Sequence, residues 1–356
     1  MKNRIAGLIE RLPEDVDAVL ITSSINRFYF TGMHSSAGTI LVTKDAGYFI
    51  VDFRYIELAK NSIKNCEVIL QDDLNAQLRD LLKKHDAKKV AVETAAISVY
   101  EYNVFVRNLE GFQLLSDDRI SKIIEELRCH KDEAELACIK AAQRITDDGF
   151  QHILNFIKPG VTERRIALEL ENSMKLRGAD DLSFDIICVS GIKSSMPHGV
   201  PGDKRIAAGD FVTLDFGVMV GGYCSDMTRT VAVGHATEEM QKVYDTVLCA
   251  QLAALNAIKV GVSCFDIDKA ARDIIYGAGY EGCFGHGTGH SLGLEIHEDP
   301  RFSTLSKAVC QPGMVMTVEP GIYLEGQFGC RVEDMVFIGQ TSTENLTHSP
   351  KDLIIL

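Results

Sequence analysis

The feature that most constrains this chain is an internal repeat that carries acids. Ile157-Lys-Pro-Gly-Val-Thr162 recurs as Ile258-Lys-Val-Gly-Val-Ser263, and each copy sits between two helix-like runs. Thr162 and Ser263 are both suited to cap the helix that follows. Further on, Gly209-Asp-Phe-Val-Thr-Leu-Asp-Phe-Gly217 matches Gly313-Met-Val-Met-Thr-Val-Glu-Pro-Gly321, with Gly, Thr, an acid and Gly at the same places. A second acid follows each, Asp226 and Glu333. The order helix, helix, strands, acid, acid therefore occurs twice, and the coincidence of acids as well as turns argues against chance.

Asp215 and Glu319 interrupt runs of strand-forming residues. A carboxylate on the buried face of a strand is costly unless neutralised. Arg229 and Arg331 can offset part of this charge, but two arginines do not balance four acids. Two divalent cations do, and acid pairs facing each other across a pseudo-two-fold axis suit a two-metal site. Histidines add to the cluster. Gly285-His-Gly-Thr-Gly-His290 puts His286 and His290 on one face if that segment is extended, and spacing alone leaves the choice between them open. A His-x-x-Pro element also repeats, as His198 to Pro201 and His297 to Pro300. The His-Glu-x-x-His pattern of single-zinc helices is absent.

Ahead of the repeat, strand-like and helix-like segments alternate to about Leu114. A strand is expected at Asp17–Thr22, a hairpin about Lys44–Gly47, a helix at Asn75–Lys84 and another strand at Lys89–Glu93. Ile5, Leu8, Ile9 and Leu12 read as the buried stripe of a first helix. The expected division is residues 1–125, an α/β domain, and 126–356, an α+β catalytic domain. The net charge of −13 gives no electrostatic footprint for nucleic acid. No membrane span and no signal peptide are expected. Ten cysteines without a C-x-x-C pair point to reduced thiols and a cytoplasmic protein.

Taken together, these motifs resemble the pita-bread metallopeptidases, the family of aminopeptidase P, prolidase and methionine aminopeptidase, and most of all its proline-specific branch. The resemblance rests on Phe28–Gly32, Ser35–Gly38 and Asp52–Tyr55 in the first part. In the second it rests on Ser194–Gly199, Leu214–Gly217, Ser225–Arg229, Gly285–His290, Gly293–Glu298, Glu319–Tyr323 and Arg331–Glu333. It implies a creatinase-like α/β N-terminal domain that helps build oligomers, a pita-bread C-terminal domain, and a homodimer. It implies five metal ligands, Asp215, Asp226, His290, Glu319 and Glu333, and so selects His290 and leaves His286 as a pocket residue. The expected cofactor is two divalent ions per chain, Mn2+ first, with Co2+ or Zn2+ admitted by the donor set.

The expected reaction is hydrolysis of the peptide bond between an N-terminal residue and proline. Glu319 handles the proton of the attacking water, His297 stabilises the oxyanion, and His198 assists or contacts substrate. Tyr323 and Arg331 orient ligands, and Arg301 is a candidate for a substrate carboxylate. Two subtypes fit, an Xaa-Pro dipeptidase and an Xaa-Pro aminopeptidase. The alternative from another class is an inactive module of the same fold that binds peptides or proteins; the full ligand set speaks against it.

Overall fold

A computed structural model describes residues 3–356 of the chain, which divides between Arg128 and Cys129 into two units. In the first unit, apolar runs bounded by turns become strands, as periodicity demands. Thr39–Thr43 and Gly47–Val51 pair antiparallel about the expected hairpin. The six-stranded mixed sheet runs Glu67–Leu70, Gly47–Val51, Thr39–Thr43, Ala18–Ile21, Lys89–Val92, Gln113–Leu115. The Leu74–Lys84 helix buries Leu78 and Leu82 in the same core as Leu20, Leu41 and Val90. The first helix is shorter than its apolar stripe suggests. It spans Arg4–Ile9, burying Ile5 and Leu8, and ends before Leu12. A further helix spans Arg119–Cys129.

The second unit carries the repeat as two helix pairs, each packed on its own antiparallel sheet. The Glu133–Leu154 and Glu163–Leu176 helices put Ile145, Phe150, Ile166 and Leu170 against Val212, Leu214 and Phe216. The sheet beneath them is ordered Met227–Ala232, Phe211–Phe216, Ile187–Ser190. The Glu238–Ala257 and Cys264–Gly277 helices put Val243, Val247, Ile267 and Ala271 against Met316, Val318 and Val336. Their sheet is ordered Glu298–Phe302, Gly289–Ser291, Val315–Val318, Asp334–Ile338, Thr343–Asn345. Both second helices start where the repeat places them: the Thr162 hydroxyl accepts from Arg165 N and the Ser263 hydroxyl from Phe265 N. Each cap is worth about 1 kcal/mol.

The two halves of the repeat meet along one seam. Glu333 N donates to Thr228 O at 3.1 Å, and the Thr230 hydroxyl donates to Arg331 O at 3.0 Å. At the end of the chain, Ala232 N donates to Ile354 O and Leu356 N to Ala232 O, both at 2.9 Å, which returns the C-terminus to the first half of the repeat. Among the described residues no helix is long and apolar enough to cross a membrane. No disulfide forms among the described residues, and Cys188, Cys224 and Cys330 are buried in strands.

Candidate metal centre

The acids converge at this seam because each half of the repeat folds them inward. Asp215 lies in the Phe211–Phe216 strand opposite Thr228, and Asp226 immediately precedes the Met227–Ala232 strand. A hairpin of Val218–Val220 and Tyr223–Cys224 lies between them and is closed tightly at its base: a Cβ at Gly217 would stand 1.9 Å from Ser225 O, so only glycine lets the chain pass. In the second half, Glu319 falls just after the Val315–Val318 strand rather than within it, and Glu333 precedes Asp334–Ile338. His290 lies in the Gly289–Ser291 strand, where a Cβ at Gly289 would meet Thr317 O at 1.9 Å.

The result is a buried group of like charges. One ligand atom from each of Asp226, His290 and Glu333 falls within 4.8 Å of the others. His290 Nε2 is 3.6 Å from Asp226 Oδ2 and 3.4 Å from Glu319 Oε1. Burial, then repulsion from Glu333, Asp215 and Glu319, pushes Asp226 well above the usual carboxylate range. Burial and the charges of Glu319 and Asp215 do the same to Glu333. Glu319 is pushed up to about 8, mainly by burial, with Arg331 pulling the other way.

Only one of the two arginines weighed from the sequence reaches these acids. Arg331 Nη2 donates to Asp215 Oδ2 at 2.5 Å. Arg229 instead pairs with Asp334 at 2.8 Å and donates to Glu333 O, a backbone atom. The remaining carboxylate oxygens are not satisfied by protein. Asp215 Oδ1, Asp226 Oδ1 and Glu333 Oε1 are buried without a hydrogen-bond partner among the described residues. A buried orphan acceptor costs about 1–3 kcal/mol, more when charged.

The imidazole points to the same conclusion. His290 Nδ1 lies 3.0 Å from the Ser291 carbonyl, which only accepts, so Nδ1 carries the proton and Nε2 turns its lone pair on the carboxylates. Burial holds His290 near pKa 3, hence neutral. A lone pair facing carboxylate oxygens is repulsive unless a proton or a metal cation lies between them. This donor set, oxygen-rich with one neutral imidazole, fits divalent metal ions.

The segment from Phe284 to Thr288 is not a strand, and the His286 and His290 rings take different partners. His286 Nδ1 donates to Gly287 O at 2.8 Å, leaving Nε2 to accept from the Tyr323 hydroxyl at 2.9 Å. Tyr323 in turn accepts from Arg331 Nη1 at 2.6 Å, and Arg331 reaches Asp215. Burial depresses His286 to about 4 and raises Tyr323 to about 12. Around the cluster stand more exposed residues. The His297 ring meets the His290 ring edge-on at 4.6 Å. Burial, then the charges of Arg301 and His198, lower the His297 pKa. His198 is exposed, on the loop after the Gly191–Ser195 turn of 3-10 helix. Arg301 is exposed, pairs loosely with Asp299 at 3.7 Å and lies opposite His290 across the strand pair.

Several contributors were not visible as such in the sequence. The Thr228 hydroxyl accepts from Arg331 Nε at 3.0 Å and donates to Glu333 Oε2 at 2.7 Å, so it joins the two halves. Glu163 is fully buried and binds Ser190 N, Gly202 N and Lys193 Nζ, which ties down the loop carrying His198. Asp268 and Arg272 hold the loop leading to His290. Thr228 sits within the Ser225–Arg229 motif, the one signal present; the others read as ordinary helix charges.

Comparison with known proteins agrees with this geometry. Residues 137–340 match metallopeptidase family M24, and residues 4–130 match the creatinase/prolidase N-terminal domain. The chain is similar to an Xaa-Pro dipeptidase of Pyrococcus furiosus, 34% identical over 358 residues, covering 99% of this chain and 100% of the relative. Among solved structures it resembles an Xaa-Pro dipeptidase from Bacillus anthracis, with TM-score 0.95, 40% identity and 99% of both chains covered. It also resembles an X-Pro aminopeptidase from Thermotoga maritima, with TM-score 0.92, 34% identity, and 99% of this chain and 100% of that one covered. A duplicated fold that gathers buried acids about one imidazole, matched along its length, makes this chain a member of metallopeptidase family M24.

Proposed function

We propose that the chain hydrolyses the peptide bond between an N-terminal residue and proline, with two divalent cations held by Asp215, Asp226, His290, Glu319 and Glu333. The observation that carries this reading is the set of three buried carboxylate oxygens without partners beside the lone pair of His290. The chemistry such cations supply is polarisation of a carbonyl and a lowered pKa for water. Four oxygen donors and one imidazole favour manganese, with cobalt and zinc as alternatives.

The residues divide the remaining work. Glu319 accepts the proton of the attacking water and passes it to the departing proline nitrogen. His297, next to His290 and neutral at pH 7, donates to the oxyanion. His198 contacts the substrate from its exposed loop. Arg331 and Tyr323 hold Asp215 and His286 in place. Proline specificity follows from the missing imide N–H, which leaves the site no donor to satisfy at that position. Arg301, exposed beside the cluster, binds a substrate carboxylate, which favours the dipeptidase subtype.

The cytoplasmic location is proposed from the sequence, on ten cysteines without a C-x-x-C pair. A homodimer is proposed through the first unit, where Phe53, Val99 and Tyr100 are exposed; light scattering checks it. The central test is hydrolysis of Xaa-Pro and Xaa-Pro-Yaa peptides after manganese loading, with metal counted in the same sample. Expected are about two ions per chain, cleavage only ahead of proline, and loss of at least about 1000-fold in Asp226→Asn. Two bound ions without cleavage of either series rejects the proposed reaction. Faster cleavage of dipeptides that disappears in Arg301→Ala assigns the dipeptidase.

A further inference from the structure

The loop Phe284–Gly289 has almost no regular structure, yet it delivers His286 and His290 to the centre. It is held from behind by one ion pair on the Cys264–Gly277 helix. Asp268 and Arg272 lie four residues apart, with Arg272 Nε 2.9 Å from Asp268 Oδ2 and Nη2 3.0 Å from Oδ1. The Asp268 side chain is fully buried. Its Oδ1 also accepts from Thr288 N at 3.0 Å and from the Thr288 hydroxyl at 2.9 Å. Arg272 donates from Nη1 to Phe284 O at 2.9 Å and from Nη2 to His286 O at 2.8 Å, and its guanidinium lies 4.3 Å from the Phe284 ring. The pair therefore grips the loop backbone at three successive alternate residues, 284, 286 and 288.

Two lines of contact lead from this grip to the centre. Thr288 O accepts from Glu319 N at 2.7 Å, so fixing Thr288 fixes the backbone of Glu319. His290 N donates to the Thr317 hydroxyl at 3.0 Å, and that hydroxyl donates to Glu319 Oε1 at 3.4 Å. The second line runs from His286 through Tyr323 and Arg331 to Asp215. We infer that Asp268 and Arg272 are positioning residues for the metal centre: their ion pair sets the loop so that His290, Glu319 and the His286–Tyr323–Arg331–Asp215 chain are in place before any ion or substrate arrives. Neither side chain touches the reacting atoms. A plain i,i+4 pair on a helix surface leaves no such trace on a remote backbone; here five donor atoms face the loop or the carboxylate, Arg272 Nε, Nη1 and Nη2 with Thr288 N and its hydroxyl, and each is used. The guanidinium fork is essential, because a single ammonium point charge reaches one carbonyl but not two with the carboxylate as well.

The inference rests on the metal-dependent reading of the same site, so the unmutated chain is measured first. If it binds no manganese by calorimetry, that reading fails, whatever the variants do. With binding established, Arg272→Gln, Arg272→Lys and Thr288→Val are compared for manganese affinity, for kcat and KM separately, and for thermal stability. Positioning predicts a loss of about 10- to 100-fold in manganese affinity or kcat for both Arg272 variants, with KM within about threefold and the transition still cooperative. Lysine does not rescue, because charge returns and the fork does not. Thr288→Val, which deletes one hydroxyl and keeps the ion pair, loses a smaller factor in the same two quantities; it serves as the test if neither Arg272 variant folds. A lower melting temperature with native manganese affinity and native kcat in the folded variants makes the pair merely structural and overturns the inference.

Discussion

At the scale of single residues, the centre is held by groups that each serve two partners. Thr228 accepts from Arg331 and donates to Glu333 through one hydroxyl. Thr228→Val keeps the volume but strands both partners, Glu333 Oε2 becoming a second buried orphan beside Oε1. A loss of about 2–4 kcal/mol of metal-free stability is expected in urea titration, with weaker metal binding; an unchanged midpoint contradicts that assignment. Tyr323→Phe removes the hydroxyl between His286 and Arg331 but leaves Arg331 on Asp215. Its expected effect is milder, a fall of about tenfold in kcat with metal content kept at the wild-type level. A variant that loses its metal instead shows that the hydroxyl governs the ligands themselves.

At the scale of elements, the repeat makes paired predictions possible. Thr162→Ala and Ser263→Ala remove equivalent caps and are each expected to cost about 1 kcal/mol, read by chemical denaturation. Gly217→Ala belongs to another class, since its Cβ meets Ser225 O at 1.9 Å and only backbone movement relieves it. Much of this was legible in the sequence. Helix pairs, caps, strands and the acid positions follow from periodicity and duplication, because those signals are local or repeat at fixed spacing. The grouping of the first-part strands into a six-stranded sheet, and the pairing of Arg229 with Asp334 rather than with a centre acid, were not legible. Both depend on which distant segments meet. His286 and His290 part company for the same reason: a Gly-rich segment has no period of its own, and Asp268 and Arg272 shape it from a helix where they look like surface charges.

For the whole molecule, the acids make metal and pH two handles on one equilibrium. Glu319 has its folded-state pKa raised to about 8 from 4.5. A carboxyl raised on folding favours the folded state while protonated, so its contribution is present at low pH and lost as pH climbs through the folded value. Asp226 and Glu333 shift in the same direction. The buried His286 and His290, lowered to about 4 and about 3, act oppositely, but only below their ordinary value of 6.5. Chelator-treated protein should therefore lose melting temperature from about pH 6.5 to about pH 8, and Glu319→Gln should flatten that fall. A rise over the same window refutes the sign. Divalent cation restores stability by mass action, about 2.7 kcal/mol at a free concentration a hundred times Kd.

The seam has a consequence for how the catalytic unit is assembled. Asp215 and Asp226 precede the exposed Gly234–His235 corner, whereas His290, Glu319 and Glu333 follow it. The last residues of the chain nonetheless lie against Ala232 and Gly234 of the earlier half. Nicking the backbone at that corner would leave two polypeptides, neither holding the full set of donors, yet already stitched edge to edge. Added manganese would then behave as a rivet, and recovery of hydrolysis on mixing the separated pieces would report their reunion.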